Sequence, residues 1–266
     1  MTHKNKISEV ARVAVILGHP AHELRIYRFL EKYRPRIFVL TDGSGALGSS
    51  RVYNTIRIID QTHSKASGIM GRYTDAEFYN IILDTDTLQI KKIIDEIVLD
   101  LEQHPVDLII GDSLEGYNPT HDLCRYIINA VAKIYSSKTN KFIPNYDFAL
   151  EGPPDECPPD IRNEAIWLNL NQEEFERKYH AALNYPEIKR DLEIAIKLHA
   201  EAPFKTECLR PVHDLKRFTG WETDKPFYET YGLDKVKSGK YADVISYERH
   251  LLPLARFCYD YAESVS

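Results

Sequence analysis

A chain of 266 residues with a formal net charge of −6 is long enough to bury a large core, and its acidity argues against nucleic acid as the main partner. No apolar run approaches the roughly 18 residues that cross a bilayer, so no membrane span is expected. The four cysteines, Cys124, Cys157, Cys208 and Cys258, stand far apart without a CxxC pair, which speaks against a disulfide framework or a thiolate zinc site and suits a reducing compartment.

The first ten residues are polar and read as a frayed arm. A few charges followed by a short apolar run resemble a signal peptide only superficially: the run is short, no small-residue cleavage site follows, and cleavage would remove the first strand. A cytoplasmic protein is expected. Arg12 to Gly18 is a near-continuous apolar run, the mark of a strand buried on both faces of a parallel sheet. Pro20 suits the first position of a helix whose apolar side carries Leu24, Tyr27, Phe29 and Leu30. Pro35 ends it, and Arg36 to Leu40 is the second strand. Thr41-Asp42-Gly43-Ser44-Gly45 then forms a glycine-rich loop at the strand's carboxyl end, and Ser49 or Ser50 caps the next helix.

The stretch Ser64 to Thr74, rich in Gly and Ser, reads as a mobile loop, and Phe78 to Leu83 as a third short strand. Asp84 to Asp86 starts a long amphipathic helix through Leu101. Val106 to Gly111 is the fourth buried strand, and Asn118 caps the helix after it. Alternating strands and helices predict a doubly wound, mostly parallel α/β sheet of Rossmann type. After about residue 140 the texture changes. Strands are expected at Asn145 to Leu150 and Ala165 to Leu170, then helices from Asn171, from Pro186 and from Ile245. Between them, Phe218, Trp221, Phe227, Tyr228 and Tyr231 follow no clear period. We expect a single domain over 1–266, with its core at about 11–150 and C-terminal helical and strand additions over about 151–266. The aromatic-rich additions offer a surface for a homo-oligomer. The seventeen tyrosines suit sugar stacking and ordinary cores alike.

Ligands of open parallel sheets bind outside the carboxyl ends of the strands. His19, His22, Asp42, Asp112, Glu115, His121 and Asp122 all fall at such ends or in the turns beyond them. The two junctions His19-Pro20-Ala21-His22-Glu23 and Asn118-Pro119-Thr120-His121-Asp122 share Pro, a small residue, His and an acid at matching offsets. Three neutral imidazoles, His19, His22 and His121, are able to bind zinc and leave a fourth place open; iron, nickel and cobalt stay possible on the same donors. The bland readings are N-capping by Asn118 and helix-dipole pairing by Glu23 and Asp122. The chain has no phosphate-loop lysine, no GxGxxG after the first strand and no GxSxG elbow, which disfavours nucleotide-binding and serine-hydrolase readings.

The pattern Gly18-His19-Pro20-x-x-Glu23 resembles the Ala-His-Pro-Asp-Asp-Glu signature of the PIG-L/LmbE family of zinc-dependent N-acetylglucosamine deacetylases. Leu40-Thr41-Asp42-Gly43 with Arg51, and Asn118-Pro119-Thr120-His121, resemble its later signatures in order and spacing over about residues 11–135. The resemblance implies His19, His22 and His121 as metal ligands, with His22 in place of an aspartate. It also puts Ala21 where the family carries its general base and Asn118 where it carries a transition-state histidine. A more positive metal centre needs that base less, because a three-histidine zinc brings its water to a pKa of about 7.

The expected function is therefore metal-dependent removal of an N-acyl or O-acyl group from a sugar or sugar-containing metabolite by a metal-bound hydroxide. Asp122 is the leading acid, with Asp42 and Glu23 behind it and Asn118 as an oxyanion donor. Arg25, Arg51, Asp112, Glu115 and Tyr117 are the substrate-binding candidates. The alternative is a non-hydrolytic relative that binds a glycan or a biosynthetic partner around a structural metal.

Overall fold

Continuous apolar runs place a strand where both faces are covered. In the computed structural model, which describes residues 8, 11–45, 48–214 and 224–266, these runs form the middle of a seven-stranded sheet. The elements in chain order are β1 (Val13–Leu17), α1 (Tyr27–Tyr33), β2 (Arg36–Thr41), α2 (Val52–Gln61), β3 (Lys65–Tyr73), α3 (Asp75–Leu83), α4 (Thr87–Gln103), β4 (Leu108–Asp112) and α5 (Pro119–Thr139). They continue with β5 (Asn145–Phe148), β6 (Ile166–Asn169), α6 (Gln172–Leu183), α7 (Lys189–His199), β7 (Thr206–Pro211), α8 (Phe227–Lys237) and α9 (Leu252–Val265). The strand order is β3-β2-β1-β4-β5-β7-β6; β3 through β5 are parallel, and β7 is antiparallel to both of its neighbours.

Alternate residues of each central strand feed two cores. Ala14, Ile16, Phe38, Leu40 and Ile109 pack on one face against α3, α4, α5 and α9. Val13, Val15, Leu17, Ile37, Val39, Leu108 and Ile110 pack on the other against α1, α2 and α6. Gly111 lets α5 lie close to the sheet: a Cβ there would stand 2.4 Å from Ile128 Cδ1 and 2.2 Å from the Ile16 carbonyl oxygen. The chain runs outward from β1 to β2 on one side and returns to β4 on the other. The crevice between β1 and β4 is thus the topological switch point where ligands of such sheets bind.

Three sequence expectations are corrected. The Gly- and Ser-rich stretch expected as a loop is the edge strand β3. Its register against β2 jumps twice, between the Ile37, Val39 and Thr41 pairings. Its glycines therefore serve bulges, and Gly71 takes φ +64 where a Cβ would strike Val52. The expected strand Phe78 to Leu83 is part of helix α3. Thr74 and Glu77 form a reciprocal capping box at its start, and Phe78, Ile81 and Ile82 are its buried stripe. The helix expected from Pro20 begins instead with a tight 3-10 turn, His22–Ile26. The expected arm over 1–10, Ser8 apart, lies outside the described residues, as do Phe218 and Trp221. Among the described residues no helix is long and apolar enough to cross a membrane.

Helix α1 lacks a capping side chain of its own, and β7 supplies one. The carboxylate of Glu207 accepts from the backbone N–H groups of Arg28 and Phe29, both at 2.8 Å, and from Lys178 Nζ, also at 2.8 Å. Lys178 donates further to the Arg25 carbonyl at 2.7 Å. Both side chains are buried. Glu207→Ala would leave a buried ammonium without its counter-charge and two helix-start N–H groups unpaired, a loss of about 3–5 kcal/mol. Urea unfolding of the variant is expected to show a lower midpoint by that amount, whereas a midpoint within error of the parent would refute this role.

Candidate active site

The loop after β1 is held from several sides. The Gly18 N–H donates to Asp112 Oδ2 at 2.7 Å, and the Gly18 carbonyl accepts from Thr41 at 2.9 Å. The Ala21 N–H donates to Thr55 Oγ1 at 3.3 Å, and that hydroxyl donates to Glu23 Oε1 at 2.8 Å. Ala21 sits at φ 83, ψ −15, in the left-handed region, which is why the helix does not start at Pro20. The kink swings His22 back toward β4, where its Nδ1 lies 2.9 Å from Asp112 Oδ1. Fully buried Asp112 thus divides its two oxygens between Gly18 and His22.

His19 uses its Nδ1 in the same way. Thr41 Oγ1 is 2.7 Å away and Asp75 Oδ1 is 3.2 Å away. The Thr41 hydroxyl is the hydrogen-bond partner, and Asp75 stands beside it as a charge contact. Burial pushes the Asp75 carboxyl up, but the neighbouring His19, with help from Thr41 and the Gly45 N–H, outweighs it and holds the group well below the usual carboxylate range. His121 arrives from the first turn of α5. Burial first, then the neighbouring His22 and His19, keep its pKa well below the ordinary value. His19 Nε2 and His121 Nδ1 are buried without a partner.

The three imidazoles form one cluster. Ring centres are 5.5 Å apart for His19–His22, 5.2 Å for His19–His121 and 4.5 Å for His22–His121, with planes steeply inclined to one another. Imidazoles holding a zinc in a tetrahedral shell, with bonds of 2.0–2.1 Å, have ring centres about 5 Å apart. The spacing, the orphaned nitrogens and the neutral state favoured for His121 fit a metal ion. So do the carboxylates behind Nδ1 of His19 and His22, the usual arrangement behind ligating histidines. Among the described residues, however, no group of three or more histidine, cysteine, aspartate or glutamate side chains is placed to hold a metal ion as it stands.

The cluster opens on a cavity of about 660 Å³. Arg25, Arg51, Asp75, Tyr79, Tyr117 and Asn118 line it around the histidines, and Leu192, Ala195, Ile196 and Leu198 of α7 give it an apolar wall farther out. Asn118 spends its side-chain oxygen on the Thr120 N–H. The Arg25 guanidinium donates to the carbonyls of Ala149 and Gly152, which leaves Arg51 as the lining arginine with no side-chain hydrogen bond among the described residues.

The remaining expected residues are not part of the cavity lining. Asp42 accepts from the Ser44 N–H and shapes its own loop. Glu115 accepts from the N–H groups of Leu150 and Glu151. Asp122 accepts from the N–H groups of Glu115 and Gly116, and its other oxygen is buried without a partner. Burial raises both Asp122 and Glu23 to about 7. Asp75, Thr41 and Tyr79 were not singled out from the sequence. The capping pair Thr74 and Glu77 was the available signal, because it sets Asp75 at a helix start beyond the end of β3.

The sequence matches no known family profile and no curated protein. Solved structures do resemble the fold. The zinc-inhibited form of the teicoplanin deacetylase Orf2 superposes with a TM-score of 0.51 at 12% identity, covering 76% of this chain and 99% of that one. A deacetylase of teicoplanin biosynthesis in complex with bog gives 0.53 at 13%, covering 75% and 97%. The antimicrobial reagent A40926 pseudoaglycone deacetylase Dbv21 gives 0.51 at 16%, covering 76% and 97%. At such identities the likeness is one of fold.

The left-handed Ala21 carries a conformational cost of roughly 1–2 kcal/mol that glycine would not. Ala21→Gly is therefore expected to stabilise the protein by about 1 kcal/mol after the extra entropy of an unfolded glycine is subtracted. Thermal or urea unfolding checks this, and a destabilised variant would contradict the strained geometry.

Proposed function

We propose that this chain is a metal-dependent hydrolase that removes an acyl group from the amine or hydroxyl of a sugar or glycoconjugate, with His19, His22 and His121 holding zinc or a similar divalent ion. One observation carries the reading: three imidazoles from two strand-helix junctions cluster at the switch point and open on a cavity. The fold it shares with the teicoplanin and A40926 pseudoaglycone deacetylases supports the same class of substrate. When bound, the metal supplies Lewis-acid polarisation and an acidified water.

The chain's own groups do the rest. Asp112 orients His22 through Nδ1, and Thr41 with Asp75 beside it orients His19, so that each Nε2 would be free to face a common ion. Burial pushes the Tyr79 phenol up to about 12, so it stays protonated and donates a hydrogen bond toward an acyl oxygen in the cavity. The Asn118 amide bonds the Tyr79 hydroxyl and so positions that donor. Arg51 faces the substrate with its charge uncommitted among the described residues.

The purified protein is expected to carry about one equivalent of zinc and to release acetate or formate from a panel of N-acyl and O-acyl sugars. His121→Ala should fold, lose the metal by elemental analysis, and lose activity by more than about 100-fold, beyond what loss of an outer partner costs. Full metal occupancy with no acyl release from any substrate would overturn the hydrolase reading.

The methyl group of Ala21 favours a second reading, a non-hydrolytic relative that binds a glycan around a structural metal. Ala21→Asp separates the two. Aspartate tolerates the left-handed conformation better than alanine and would restore a carboxylate where the resemblance expects the base. In a hydrolase this substitution should raise kcat or leave it near the parent value, since general-base assistance is typically worth about 10²–10⁴-fold. A parent with no turnover, alongside an Ala21→Asp variant that gains it, would identify the non-hydrolytic relative.

A further inference from the structure

Outside the histidine cluster, the least expected feature is a ladder of aromatic rings in solvent. Tyr117, on the turn before α5, lines the cavity. The Phe227 ring lies parallel to it, with centres 4.9 Å apart and planes 4° apart. Tyr231, one turn further along α8, continues the ladder at 5.7 Å and 29°. Buried aromatic stacks belong to cores, but these rings stay 44%, 50% and 44% exposed. Scattered surface aromatics need no explanation; contiguous ones joined to a cavity mark a binding surface. The Tyr228 N–H donates to the Gly116 carbonyl at 3.3 Å, so the start of α8 is tied to the turn that carries Tyr117.

The surroundings select the occupant. Glu151 and Asp191 line the same cavity, and their charges reach the Tyr117 hydroxyl. A pyranose ring offers a flat C–H face to an aromatic plane and hydroxyl donors to carboxylates. An acyl chain laid there would bury those carboxylates unpaired. The cavity is also sized for a drug-like ligand, larger than one acylated sugar ring.

We infer that the Tyr117–Phe227–Tyr231 ladder binds a second sugar ring of an extended glycoconjugate, whose first ring carries its acyl group to the histidine cluster. The placement of the first ring rests on the hydrolase reading; the ladder's affinity for a sugar ring does not.

The test uses cellobiose and glucose, neutral sugars without an acyl group, so that no turnover intervenes. Ligand-observed NMR titration of the full chain is expected to show cellobiose binding about tenfold more tightly than glucose. Phe227→Leu keeps the apolar volume and removes the flat face. It should reduce the preference to within about twofold while leaving glucose affinity unchanged. Tyr231→Ala, a half-exposed position on α8, should do the same and carries the test if the first variant fails to fold. Equal binding of the two sugars by the parent, or an undiminished preference in both folded variants, overturns the inference. Retained cellobiose preference with no acyl hydrolysis would sink the hydrolase reading and leave the platform standing. Equal hydrolysis rates for acylated monosaccharides and disaccharides, with no cellobiose preference, would do the reverse.

Discussion

The carboxylate of Asp112 is the joint on which the site depends. It stands at the end of β4, fully buried, and reaches across the switch point to the Gly18 N–H and to His22 Nδ1. Hydrogen bonds to a charged group contribute about 1.5–3 kcal/mol each, roughly twice the neutral value. These two do more than stabilise. One fixes where the chain leaves β1, and the other fixes the ring of the second histidine. The parallel pairing of β1 with β4 brings the two strand ends together, with Ile16 opposite Gly111. The absence of a side chain at Gly111 then lets α5 descend and deliver His121 to the same place.

A second carboxylate repeats the device from the other side. Asp75, beyond the end of β3, contacts His19 and accepts from the Gly45 N–H at 2.8 Å. It therefore ties the first histidine to the glycine-rich loop after β2. The site is gripped from β4 on one side and from β3 on the other, with β1 between them. This explains why a loop carrying a left-handed alanine persists: neighbouring contacts determine its course more strongly than the residue's own preference opposes it.

How much of this was legible in the sequence depends on the range of the interaction. Continuous runs such as Val13 to Leu17 announce buried strands because burial on both faces demands apolar residues at every position. The histidine pairing was legible because both junctions repeat one local pattern. The edge strand β3 was not, since its Gly and Ser residues serve bulges whose partner lies in β2, and composition alone reads as loop. Misreading β3 and α3 hid Asp75, whose significance lies in a contact 56 positions away in the chain. Asp42 and Glu115 look like site acids by position, but nearby backbone N–H groups claim both. No sequence pattern distinguishes a carboxylate that accepts from a loop from one that faces a ligand.

Charge balance accounts for one departure of the first junction. Asp75 and Asp112 stand directly behind Nδ1 of His19 and His22. Were these histidines to hold the divalent ion proposed above, the two carboxylates would balance its charge and limit the cost of desolvating it. A carboxylate at position 22 would face Asp112 with no proton between them, a like-charge contact in a fully buried setting. His22 is therefore an electrostatic solution: negative charge that the resembling signature carries on the loop itself sits here one layer out, on β4 and at the head of α3.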